Sequence, residues 1–202
     1  MSNLRKFKSL AKEIRACTLC AEHLPLGPRP VFQADPEARI LIVGQAPGTA
    51  VHESGVPFDD PSGERLRGWM GVDTETFYNP KKVALVPMGF CYPGKVVAAN
   101  GRGGDKPPRP ECAQTWRAPL LGHLRKVELT IVLGRYAMDW HLQVPKKSTL
   151  TQIVADWAHY WPTTVPLPHP SPRNLMWLRR NPFVEQDIVP RLQRQIKKIL
   201  AE

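Results

Sequence analysis

The sequence contains no apolar run close to the roughly 20 residues that a membrane-spanning helix requires. The stretch from Met1 to Arg15 alternates apolar and basic residues and lacks the continuous apolar core of a signal peptide. These two absences lead to the expectation of a cytosolic protein with no membrane contact. No Gly-x-Gly-x-x-Gly follows the first apolar run, which argues against an ordinary dinucleotide-binding domain. There is no internal repeat and no stretch that reads as a linker, so residues 1–202 are expected to form one domain, acting as a monomer. Acidic residues are in short supply. Against 28 Lys and Arg stand 18 Asp and Glu, a formal charge of +10. Such a balance fits a polyanionic partner, most often nucleic acid, although plain solubility explains it as well. Cysteine is scarce too: Cys17, Cys20, Cys91 and Cys112 are all there are. In a cytosolic chain a pattern with Cys-x-x-Cys reads as metal-binding before it reads as disulfide-bonded.

What is present is a globular core. Apolar residues make up 42% of the chain, and they fall into short runs separated by helical spacing. Strands are predicted at residues 39–43, 83–86, 129–133 and near 163–167. Helices are predicted over 3–16, after Ser62 as an N-cap, around Cys112 to Leu124, over 135–142, over 149–161 and over roughly 183–201. The Gly- and Pro-rich stretch from Tyr92 to Arg109 reads as a long loop. Strands alternating with helices predict a three-layer α/β/α sandwich around a four-stranded parallel sheet.

Two loops carry the chemical signal. Gly44-Gln45-Ala46-Pro47-Gly48 follows the first strand, and His169-Pro170-Ser171-Pro172-Arg173-Asn174 follows the last. In an open parallel sheet, loops at the carboxyl ends of strands converge on one crevice. Glycine at positions 44 and 48 lets backbone approach a ligand closely. His169, held between prolines, is a stiffly placed imidazole able to stabilise a developing anion.

Together these loops resemble the motifs of the uracil-DNA glycosylase superfamily, and the segment Glu53 to Gly63 with its Val56-Pro57-Phe58 resembles that of the iron–sulfur, family 4-like branch. The likeness spans nearly the whole chain. It implies DNA containing uracil or another damaged base as partner, and a monofunctional DNA glycosylase as activity. On that resemblance Phe58 stacks on the extruded base, with Ala46 beside it, and His169 hydrogen-bonds the base carbonyl. Gln45 stands next to the water site, while Gly48, Ser171, Arg173 and Asn174 meet the DNA. Four thiolates in this order imply a [4Fe–4S] cluster with a structural role; a four-cysteine zinc site and free thiols are the alternatives.

The chain also departs from the pattern. Ala46 occupies the position where the best-known branch carries an Asp for the attacking water, as it does in the iron–sulfur branch. His52, Glu53, Asp59 and Asp60 are the local candidates to replace it, Asp59 and Asp60 foremost. No Asn follows the second strand to read the base, leaving backbone groups of Met88 and Gly89 for that task. Arg65, Arg67, Lys81, Lys82, Lys95, Arg102, Lys106, Arg109, Arg179 and Arg180, with Trp177 among them, are candidates for phosphate tracking and stacking. The rival class is a catalytically silent relative that binds nucleic acid or a free nucleobase or nucleotide.

Overall fold

The structure, a computed structural model, describes residues 3–96, 103–142, 144–145 and 147–201. Among these residues Ile40–Val43 (β1), Val83–Leu85 (β2), Leu129–Leu133 (β5) and Thr164–Leu167 (β6) form a four-stranded, all-parallel sheet in the order β2-β1-β5-β6. Between β2 and β5, Lys95–Val96 (β3) and Gly104–Asp105 (β4) pair as a small antiparallel ribbon. The stretch expected to be a long loop thus contains two-residue strands; Arg102 lies outside the described residues.

β1 and β2 are buried throughout, and β5 is buried except at Thr130. Continuous apolar runs of this kind are what strands covered on both faces require. Pro166 sits within β6, which a sheet tolerates because β6 is an edge strand and one side needs no donor. The crossover from β1 to β2 goes one way across the sheet, and those from β2 to β5 and from β5 to β6 the other way. Right-handed crossovers in opposite directions put their helices on opposite faces. Accordingly Pro61–Met70 packs with the last helix, Val189–Ala201, while Asn3–Arg15 packs with Ala118–Leu121. The result is the expected α/β/α sandwich.

The helices differ from expectation in detail. The N-cap of Pro61–Met70 is Asp60, whose Oδ1 accepts the Gly63 N–H at 2.9 Å; Ser62 is inside the first turn. Pro61 at the first helical position fits there because its missing N–H has no role to fill. The predicted helix over 149–161 stops at Ala155, after a capping box of Thr149 and Gln152, and a 3-10 turn follows. Leu4 stays 45% exposed, so Asn3–Arg15 is anchored by Phe7, Ala11 and Ile14. On the last helix Leu192, Ile196 and Ile199 are buried, and Lys197 and Lys198 form the exposed face.

Arg117 is fully buried. Its guanidinium donates to the carbonyls of Val86 at 3.2 Å and Pro87 at 3.0 Å and lies against the His141 ring. Burial, then the Arg117 charge, pushes His141 down to about 4. The unfolded chain therefore takes up a proton near the ordinary histidine value of about 6.5 while the folded one resists. Stability is expected to be full above that value and to fall as pH drops towards 4, by on the order of 3 kcal/mol at most. Urea midpoints measured at pH 7 and pH 4.5 check this, and His141→Gln should flatten the difference.

Candidate functional site

The chain leaves β1 for one side of the sheet and β5 for the other, so the carboxyl ends of these strands flank the crevice where such sheets bind ligands. A cleft of about 550 Å³ lies there. Its walls are the loop after β1, the segment around Phe58, and the loop after β6, with the β3–β4 ribbon closing one side. The two proline-stiffened loops face each other across it.

Phe58 has φ 57°, the one positive φ at a non-glycine position among the described residues. A bulky residue there costs roughly 1–3 kcal/mol and needs its surroundings to hold it. Three contacts do so. The Tyr78 hydroxyl donates to the Phe58 carbonyl at 3.3 Å, the Phe77 ring meets the Phe58 ring edge-on with centroids 6.2 Å apart, and Gly63 leaves room for that carbonyl. The ring is thereby turned into the cleft, half-buried, with its plane 23° from that of His169 and the ring centroids 6.5 Å apart.

His169 is fixed by its own loop. Asn174 Nδ2 donates to the His169 carbonyl at 2.7 Å, and Arg65 donates to the Pro170 carbonyl at 3.0 Å. Burial holds the imidazole below the ordinary histidine range, against the opposing charges of Asp60 and Asp105. At neutral pH the ring is therefore uncharged and keeps one N–H to donate. Gln45 Nε2 donates to the Lys106 carbonyl at 3.1 Å, tying the first loop to the end of the ribbon.

Gly44, Gln45, Ala46, Gly48, Phe58, Asp60, His169, Ser171, Arg173 and Asn174 all border the cleft. Asp59 and Glu53 are exposed outside its lining. His52 is buried against Tyr92 at 6.1 Å between ring centroids. Met88 and Gly89 do not line the cleft, and their N–H groups are engaged by the Gly44 and Gln45 carbonyls at 2.8 and 3.0 Å. Sequence reasoning overlooked Asp105, which borders the cleft along with Lys95. Two-residue strands within a Gly- and Lys-rich stretch leave no periodicity from which to find them.

A family model described as the uracil DNA glycosylase superfamily matches residues 31–193. The chain belongs to that superfamily.

Membership of the superfamily does not carry the metal with it. Among the described residues no group of three or more His, Cys, Asp or Glu side chains comes together in a way that could hold a metal ion, which overturns the expected [4Fe–4S] cluster and the zinc alternative. Cys17, Cys20, Cys91 and Cys112 do line one apolar pocket, yet its free space is about 20 Å³, room for little more than a water. The sulfurs serve locally: Cys112 accepts the Phe90 N–H at 3.3 Å and Cys17 the Trp116 indole N–H at 3.3 Å. Burial pushes the thiols up, Cys91 to about 11 and Cys112 to about 12, so both are protonated at neutral pH. Cys-x-x-Cys spacing brought these residues together without a ligand geometry for a metal.

The basic residues divide. Arg65 holds the His169 loop, Arg67 lies over the Phe77 and Tyr78 rings, and Arg109 pairs with Glu111 at 2.6 Å. Lys81 and Lys82 precede β2, at the end of the sheet opposite the cleft. Trp177 donates to Thr151 at 3.0 Å and packs half-buried against the core. That leaves Lys95 and Arg173 at the cleft, exposed Lys106 just past the ribbon and outside the cleft lining, and exposed Arg179 and Arg180 on the helix that follows Arg173. No helix among the described residues is long and apolar enough to cross a membrane.

Proposed function

We propose that this protein is a monofunctional DNA glycosylase that takes uracil, or a related damaged base, out of the helix and hydrolyses its N-glycosidic bond. The reading rests on one observation in a chain of this superfamily: Phe58 and an uncharged His169 face one cleft with nearly parallel rings. A flat base laid on Phe58 is then close to parallel with the imidazole, so a ring carbonyl of the base can meet the His169 N–H in plane. As the C1′–N1 bond breaks, its electron pair moves onto the base, and that hydrogen bond strengthens as negative charge builds. No ammonium group borders the cleft from either motif loop, which fits hydrolysis by water rather than a covalent lysine intermediate.

Ser171 and Arg173 at the rim suit phosphate contacts, and the small Ala46 and Gly48 leave space for the nucleotide. Leu175 and Met176, 41% and 57% exposed on the helix beyond that rim, are placed to press on base steps around the flipped nucleotide. The Val56-Pro57-Phe58 segment and Ala46 support a place near the family 4-like branch on loop residues alone. We take the protein to act as a single-domain cytosolic monomer. A binding-only relative is favoured by one fact, the lack of an ionisable side chain in residues 44–48.

A labelled single-stranded oligonucleotide with one uracil, incubated with the protein and then cleaved with alkali, tests the proposal. A uracil-dependent cut is the expected result. No cut in that strand or in a parallel duplex would point to binding without catalysis.

A further inference from the structure

The cleft poses a problem that the glycosylase reading leaves open. Hydrolysis needs a group to orient water and take its proton, and the loop after β1 offers no ionisable side chain. Asp59 and Glu53 lie outside the cleft lining and His52 is buried behind it. Asp60 borders the cleft, but its Oδ1 is engaged at the start of Pro61–Met70, where it accepts the Gly63 N–H at 2.9 Å.

Asp105 is different. It comes from β4, which the chain carries across from a distant segment to the rim of the first motif loop. A Cβ built on Gly48 would lie 3.8 Å from its Oδ2, so the carboxylate stands directly over that loop. It has no hydrogen bond or ion pair to any side chain or backbone group among the described residues. Its place is fixed from below, because Gln45 Nε2 donates to the carbonyl of the next residue, Lys106, and the Lys106 N–H donates to the Gly94 carbonyl at 2.8 Å. The charges around it are Lys95 opposite in the ribbon, Arg173 beside Gly104, and His169 and Asp60 across the cleft.

We infer that Asp105 orients the attacking water and accepts its proton, with Gln45 as the positioning residue that holds the ribbon in reach. This rests on the glycosylase reading above. In the step, the C1′–N1 bond breaks with its electron pair going to the base, a C1′–O bond forms, and the water proton passes to the carboxylate and on to solvent. The anionic carboxylate also favours the positive charge that develops on the sugar ring as the base departs.

The test is single-turnover uracil excision by the full-length wild type, Asp105→Asn, Asp60→Asn and Gln45→Ala, with DNA affinity and pH profile measured for each. Asp105→Asn is expected to lower the rate by about 10²-fold or more. It should bind DNA at least as tightly, since a negative charge facing phosphates is removed. Gln45→Ala should slow wild type but add little to Asp105→Asn, because both act on the same group. An Asp105→Asn rate within about threefold of wild type, or loss confined to Asp60→Asn, overturns the inference. A wild type that excises nothing overturns instead the glycosylase reading on which it rests.

Discussion

If the proposed function holds, replacing His169 by Ala is expected to lower single-turnover uracil excision by about 10²- to 10⁴-fold and to leave DNA affinity within a fewfold of wild type. The separation of the two effects is the informative part. The imidazole is a half-buried part of the cleft wall, whereas Arg173 and the exposed residues of the helix behind it are open to solvent and would meet DNA on the proposed function. The bonds that shape the loop run through main-chain carbonyls of His169 and Pro170, which Ala at 169 keeps. On the proposed function, what is lost is the N–H that would meet the leaving base. Because burial keeps this imidazole below the ordinary histidine range, wild-type activity should hold as pH falls through about 6.5 before it declines. Fluorescence anisotropy with a uracil-containing strand, beside the excision rate, makes the measurement. Equal loss of binding and excision would mean that His169 holds the fold or the DNA and not the departing base.

The second large effect comes from a methyl group. A Cβ on Gly63 would fall 1.8 Å from the Phe58 carbonyl oxygen and 2.8 Å from Phe58 Cβ. Neither the carbonyl oxygen nor the Cβ bonded to the main chain can swing aside as the end of a flexible side chain would. Gly63→Ala must therefore either push Phe58 out of its left-handed conformation or open the first turn of Pro61–Met70, losing the Asp60 cap. We expect a stability loss above about 3 kcal/mol, in the range that only core or backbone clashes reach, and loss of excision in whatever fraction still folds. Gly68→Ala is the control. It lies on the same helix with nothing within 4 Å of a new Cβ, so it should raise stability by about 0.5–1 kcal/mol. Urea midpoints of the pair decide the matter. A Gly63→Ala protein as stable and active as wild type would show that the Phe58 turn has slack that the packing does not suggest.

Some parts of this protein are legible residue by residue. Ile40 to Val43 and Leu129 to Leu133 read as strands because strands buried on both faces must be apolar without a break. Asp60, a candidate for positioning water, caps the helix that starts at Pro61 and still borders the cleft, a cap that the sequence pattern assigned to Ser62. The cysteines misled for a plain reason. Spacing reports that two sulfurs are near each other along the chain, while metal binding depends on how four meet in space.

The sandwich, the two motif loops and the polarity of the sheet that brings those loops to one end are all written in the order of residues along the chain. These follow from local patterns, apolar runs and proline- or glycine-stiffened turns, whose physics is set within a few residues. That Phe58 turns into the cleft, that Arg65 serves the His169 loop and that Asp105 reaches Gly48 became visible with the folded chain alone. Each of those depends on contacts between segments far apart in the chain, and no local pattern encodes which distant surface a side chain will meet.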